Sequence, residues 1–385
     1  MRMKNALIGS IALGTLASGV IAAGTVGAQE LRFASGYPSG SIPAEALEVY
    51  EQTLEDLSEG SVSIRAFHLS LLDLEETATG IREGLADMGI VLTPYSVAEF
   101  PHMNMISELS MLLETEGMTT EHRGPAFAGA MMEYVFNHCP ECKEDFLEQN
   151  QIYLGGASSP EYALLCTTEV RTLDDLDGKR LRIGGPQWAR WADELGASPS
   201  TMSVNEIYEG LNQGVVDCSV QSAPELSVFQ LFDIVDNITV DTPGGVFGGV
   251  GSSNMNANTW RGLDDDQRGA LLRAGATLSA EFTWRYEAEG IENLERARDE
   301  GIAIHEADEA LIDATRSFIE RDLEAIAESY ADRYGIENSE EMIDEFRPIL
   351  ERWVELASDL ADSEELADLY WDEIYSEIDP STYGM

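Results

Sequence analysis

The chain has 385 residues, 71 acidic and 23 basic, for a formal charge of −48. So negative a surface repels nucleic acid and anionic lipid and excludes both as partners. A content of 44% apolar residues excludes a disordered polyanion and calls for a packed core.

Arg2 and Lys4 precede a Gly/Ala-rich apolar run, Ala6–Ala23, and Val26-Gly27-Ala28 supplies a small-x-small cleavage pattern. Residues 1–28 therefore read as a secretory signal peptide, with a mature chain that starts at Gln29 and works in the periplasm. The removed segment holds Arg2, Lys4 and no acid, so the mature charge is −50. No later stretch approaches the roughly 20 apolar residues of a membrane span, so no stable membrane insertion is expected after cleavage. The mature N-terminus has no lipid-anchoring cysteine, and a freely diffusing protein is expected. Its acid is spread along the chain, which fits adaptation to high salt, where screening shortens like-charge repulsion. A chain of this length exceeds one ordinary core, and two lobes are expected.

The mature chain opens as strand, loop, helix: Leu31–Ala34, then Gly36–Gly40, then a helix with Pro43 in its first turn that runs to Ser58. Val62–Phe67 reads as a strand, Glu75–Glu83 as a helix closed by Gly84, and Met88–Leu92 as a strand. This alternation implies parallel βαβ units. The phrase Ile81-Arg-Glu-Gly84-Leu-Ala-Asp87 recurs as Leu211-Asn-Gln-Gly214-Val-Val-Asp217, with each glycine expected at a left-handed helix end. Ser203–Glu206 reads as a capping box ahead of the second of these helices. The repeat points to two lobes of related architecture. Further on, Gln267–Asp299 reads as one long helix, Ile302–His305 as a short strand, and Glu309–Tyr334 and Glu340–Ile378 as acidic amphipathic helices packed against the lobes.

Four cysteines follow the signal segment. Cys139-Pro-Glu-Cys142 lacks the second ligand pair that zinc requires, and it follows a helix rather than the strand of a redox motif. In an oxidising compartment the expectation is a structural disulfide, Cys139 with Cys142, leaving Cys166 and Cys218 as buried thiols. The five histidines, at positions 68, 102, 122, 138 and 305, show no metal-ligand spacing. There is no Gly-x-Ser-x-Gly elbow, phosphate loop or His-Glu-x-x-His, so neither an enzyme nor a cofactor or metal site is expected.

In Lys179-Arg-Leu-Arg-Ile183, alternation sets Leu181 and Ile183 on one face and Arg180 and Arg182 on the other. Gly184-Gly185 ends the strand and opens the backbone to a ligand. Pro186 then starts a helix whose N-terminus favours negative charge. An arginine held there suits a carboxylate, because the guanidinium binds both oxygens in a planar fork and stays protonated. Arg180 is expected to be solvated. Trp188, in the first turn of the following helix, is a candidate pocket wall. Loops after strands contribute Tyr37, His68 and Tyr95, and Phe247 ends the segment before a later strand.

The series Asp177-Gly-Lys-Arg-Leu-Arg182, Leu195-Gly-Ala-Ser-Pro199, Met202-Ser-Val-Asn-Glu206 and Leu211–Asp217 resembles the DctP-type solute-binding proteins of TRAP (tripartite ATP-independent periplasmic) transporters. The resemblance implies an α/β, two-lobed fold like that of type II periplasmic binding proteins, with a long interlobe helix and C-terminal helices. It implies lobes at 29–158 plus 247–287 and at 159–246 plus 288–385. It also implies capture of an organic acid in the cleft and delivery to a TRAP membrane permease driven by an ion gradient. Arg182 matches the arginine that pairs with substrate carboxylate in the family, and Gln221 fills the place of a ligand-contacting asparagine. The second arginine of sialic-acid-type members is missing from Tyr162–Thr168, so a doubly clamped carboxylate is not expected. The alternatives are a binding protein for a sensor or an ATP-driven importer, and a secreted carboxylate-based lyase or hydrolase.

Overall fold

The computed structural model describes residues 28–115, 117–118 and 120–385; the signal-peptide reading falls on residues outside these, save Ala28. In chain order the strands are β1 (Gln29–Ala34), β2 (Val62–Phe67), β3 (Met88–Leu92), β4 (Gln151–Ile152), β5 (Gly156–Ala157), β6 (Tyr162–Cys166), β7 (Arg180–Ile183), β8 (Ser198–Thr201), β9 (Cys218–Ser222), β10 (Asn237–Val240), β11 (Val250–Asn256) and β12 (Ala303–Glu306). One sheet runs β2-β1-β3-β11-β4, with β5 also on β11; the other runs β12-β10-β6-β9-β7-β8. β1 is parallel to β2 and β3, and β7 is parallel to β8 and β9, as βαβ alternation requires. β3 and β6 are buried along their whole length and read accordingly as near-continuous apolar runs.

The two lobes share one polar device, and it explains the repeated phrase. Arg32 in β1 grips Asp87, its Nε and backbone N–H donating to Oδ2 at 2.9 and 2.8 Å, while its terminal nitrogens donate to the Gly84 and Leu85 carbonyls. Arg180 in β7 grips Asp217 the same way at 3.0 and 2.9 Å and donates to the Gly214 carbonyl. In each lobe the Gly-x-x-Asp turn thus ends a helix and offers a carboxylate to the neighbouring parallel strand. Burial alone would raise the Asp87 carboxyl, yet Arg32 holds it below the usual range; Arg180 does the same for Asp217. Arg180 is therefore paired rather than simply solvated. Both clasps are half-exposed, so they set register more than they add stability.

The chain passes between the sheets at 158–161, at 241–249 and along the 36-residue helix Asp265–Glu300. A reciprocal capping box, Asp264 with Gln267, starts this helix. Its glycines cost helix propensity, but Gly275 has a packing reason: a Cβ there would lie 2.6 Å from the Leu154 carbonyl oxygen.

The C-terminal segments depart from expectation in two ways. Glu340–Ile378 is not one helix but two, Ser339–Leu356 and Ser363–Glu373. Asp362 breaks the run by capping the second, its side chain accepting from the Glu364 and Glu365 N–H groups. These helices also pack on the first lobe, although the sequence reading groups 288–385 with the second. Trp353 Nε1 donates to Glu133 at 2.6 Å, Tyr370 OH to the Pro125 carbonyl at 2.9 Å and Tyr375 OH to the Leu154 carbonyl at 3.0 Å. The helix Glu309–Tyr334 runs between the lobes: Thr315 accepts from Trp191 Nε1 at 3.0 Å, and Tyr330 meets Glu108. Ser203 likewise makes no capping box. Its hydroxyl accepts from Asn205 N–H in a short 3-10 turn, and the helix proper starts at Ile207.

Cys139 and Cys142 form a local disulfide. Cys166 and Cys218, expected as free thiols, form a second. They stand directly opposite each other on the antiparallel pair β6 and β9, a register that spacing along the chain does not reveal. Replacing both with alanine should lower the unfolding free energy by about 2–4 kcal/mol, because the bond closes a loop between positions 52 apart. A urea midpoint unchanged by the double substitution would show that the bond does not constrain the unfolded chain.

Candidate ligand-binding site

Between the lobes lies a cavity with about 410 Å³ of space unfilled by protein atoms, space open to solvent included. The first lobe contributes Tyr37 from the loop after β1 and Tyr95 from the turn after β3; the second contributes Arg182 from β7, Gln221 from β9 and Glu225. The long helix adds Phe282 and Tyr286, one turn apart, the start of β6 adds Tyr162 and the crossing segment at 241–249 adds Phe247. The site therefore closes only when both lobes and the helix come together.

Arg182 is 1% exposed. Its Nε donates to the Met202 carbonyl at 2.9 Å, Nη1 to Gln221 Oε1 at 2.6 Å and Nη2 to Tyr95 OH at 3.0 Å. A guanidinium has five N–H groups, so one on each terminal nitrogen remains for an acceptor such as a carboxylate. Among the described residues no acidic side chain lies within 4.0 Å of it. A buried, always-charged group with no ionic partner is expensive unless something supplies the counter-charge. Tyr95 OH also accepts from Val204 N–H at 2.9 Å. Both its acceptor positions are thus filled by the opposite lobe, and its own proton is free to donate.

The glycines after β7 serve the protein rather than opening the backbone. A Cβ on Gly184 would lie 3.1 Å from Arg182 Nη1, and one on Gly185 would lie 2.6 Å from Gln187 and 3.1 Å from Trp188. Gly184 leaves room for the guanidinium and Gly185 for the indole.

The structure brings Arg182, Gln221, Tyr37, Tyr95 and Phe247 to one cavity and leaves Trp188 and His68 outside it. Trp188 lies behind the wall: its ring stacks on Tyr162 at 4.2 Å and its N–H donates to the Gly244 carbonyl at 3.0 Å. A helical side chain leans toward the helix N-terminus, and here that direction leads into the hinge segment, not the cleft. His68 is half-buried beside Ser35 Oγ at 3.3 Å, where burial lowers its pKa against the pull of Glu48.

Sequence reasoning missed Glu225, Tyr286 and Phe282. Glu225 is 5% exposed, and its Oε2 has no hydrogen-bond partner among the described residues. Burial pushes its carboxyl up to about 7, against the opposing pull of Gln221, Arg182 and Tyr286. The Tyr286 hydroxyl is buried too, within reach of Tyr37 and Glu225. Among the described residues no group of histidines, cysteines and acids could hold a metal ion, and no helix is long and apolar enough to cross a membrane.

Two α/β lobes closed over a polar-aromatic cavity define a solute-binding protein. The chain belongs to the DctP family, the bacterial extracellular solute-binding proteins of family 7, whose profile matches residues 33–329; it is a binding receptor and not an enzyme. A solute-binding protein of Sulfitobacter sp. (strain NAS-14.1) is 23% identical over 256 residues, 65% of this chain and 72% of that protein. DctP6, a Bordetella pertussis extracytoplasmic solute receptor binding pyroglutamic acid, has a crystal structure similar at TM-score 0.69 and 18% identity, covering 83% of this chain and all of that one. A marine-metagenome TRAP solute-binding protein specific for aromatic acid ligands, from an unidentified microbe, is similar at TM-score 0.72 and 17% identity, covering 85% and 99%. At such identities the structural likeness speaks for the fold alone.

Proposed function

We propose that this protein is the extracytoplasmic receptor of a TRAP transporter and that it captures a small organic acid through Arg182. The supporting observation is the buried guanidinium with two N–H groups left over and no acidic partner, facing a cavity that both lobes close. In this reading the ligand carboxylate takes those two N–H groups and the Tyr95 proton. Aromatic rings enclose the remainder, and closure excludes water and strengthens the ion pair. The signal segment directs the chain to the periplasm, and the loaded receptor hands its cargo to the membrane permease. The structural relatives above are named for pyroglutamic and aromatic acids, each of which carries a carboxylate for such an arginine to hold.

The test is a thermal-shift screen of mono- and dicarboxylic acids in molar salt, confirmed by calorimetry. A ligand at a hundred times its Kd should stabilise the fold by about 2.7 kcal/mol. A screen in which neutral sugars or cations raise Tm and no acid does would reject the reading.

A further inference from the structure

We infer that the cargo is zwitterionic: a small amino or imino acid whose carboxylate meets Arg182 and whose charged nitrogen meets Glu225. This rests on the carboxylate reading of Arg182 and goes further, to the other end of the ligand. Of the residues lining the cavity, Arg182 and Glu225 alone carry formal charge, one of each sign. They sit apart, since among the described residues no carboxylate oxygen comes within 4.0 Å of the guanidinium. Glu225 is nine-tenths buried; Gln221 and Tyr286 stand within reach of its carboxyl, and its Oε2 still has no hydrogen bond from the described residues.

A buried carboxylate in that state must find a donor or take up a proton. A ligand ammonium supplies the donor. A plain carboxylate ligand supplies nothing to Glu225 and leaves two like-charged groups in one closed space. The walls agree with a cation at that end. Tyr37, Tyr162 and Tyr286 all lie close enough to Glu225 for its charge to shift their hydroxyls. Their hydroxyl oxygens can accept further hydrogen bonds from an ammonium.

The groups facing Glu225 are Arg182, Gln221 and Tyr162 from the second lobe, Tyr37 from the first and Tyr286 from the long helix. Burial pushes the three tyrosine hydroxyls further up, away from neutrality, so the Glu225 carboxyl carries the pH response. Its carboxyl lies at about 7. Binding that needs the ionised form should therefore weaken roughly tenfold from about pH 8 to pH 6. Binding of a plain acid, which needs the protonated form, should strengthen over the same interval.

The experiment compares matched pairs by calorimetry on the full protein: L-proline with cyclopentanecarboxylate, and phenylglycine with phenylacetate, together with the wider amino-acid series. The expected result is tighter binding of the nitrogen-bearing member and the falling affinity toward acid pH. Glu225→Gln should cost that member about 10- to 100-fold and flatten its pH profile, while leaving the nitrogen-free acid as tight or tighter. Equal or tighter binding of the nitrogen-free acids to the wild type, with affinity rising toward acid pH, overturns this inference and leaves the carboxylate reading standing. Failure of every acid in both series overturns both. The wild-type pH slope decides the matter even if Glu225→Gln does not fold.

Discussion

Replacing Arg182 with alanine should weaken binding of a carboxylate ligand by about 30- to 1,000-fold, or about 2–4 kcal/mol, the cost of removing one partner of a desolvated charge pair. The loss has several parts. The ligand carboxylate loses its donor, and Gln221 Oε1 and the Met202 carbonyl lose theirs inside the cavity. Arg182→Lys should recover only part of the affinity, because an ammonium keeps the charge but not the fork. Calorimetry against the best acid from the screen reads the effect, and a urea titration of both variants separates ligand loss from unfolding. An alanine variant that folds and binds the acid as the wild type does would remove Arg182 from the site.

The largest stability effect is expected at Arg190. Its guanidinium lies between Glu108, at 2.7 Å, and Asp322, at 2.6 Å, and these carboxylates are 1% and 6% exposed. Tyr330 adds its hydroxyl to Glu108. Burial nevertheless outweighs Arg190 and Tyr330 and keeps the Glu108 carboxyl above its usual range. Arg190→Met should therefore strand two buried acids and cost about 3–5 kcal/mol, read from the urea midpoint. Substituting all three together, Glu108→Leu, Arg190→Met and Asp322→Leu, should recover most of the loss, because an apolar trio of similar volume leaves no buried charge unpaired. A single variant within about 0.5 kcal/mol of wild type would mean that water reaches these carboxylates. The cluster joins the helix after β7, the segment from Glu108 and the helix Glu309–Tyr334, so its loss would also loosen one lobe from the other.

Residues whose chemistry is rare in this chain were legible in its sequence. Arginine is scarce among the acids, and the alternation of Lys179–Ile183 shows which side of the strand Arg182 takes. Strands Val62–Phe67 and Met88–Leu92 and the long helix fall where local pattern places them, because periodicity and helix-stop glycines act over a few residues. Glu225 was not legible, since nothing local separates one functional carboxylate from a chain full of solvated ones; only its burial does. Phe282 and Tyr286 were not singled out, because a pocket wall and a core face share the same helical spacing. The pairing of Cys166 with Cys218 depends on strand register, and the seat of the C-terminal helices depends on single hydroxyl and indole donors reaching carbonyl or carboxylate oxygens far away in sequence. Those are long-range facts that no window along the chain contains.

Tyr95 joins two tasks in one oxygen atom. It receives donors from Arg182 and Val204 across the interlobe gap, so the same hydroxyl that steadies the guanidinium also fastens one half of the molecule to the other. Prying the halves apart strips Arg182 of that neighbour at the moment the enclosure breaks. A membrane partner that levers the jaws open would in that way eject the cargo without ever touching it.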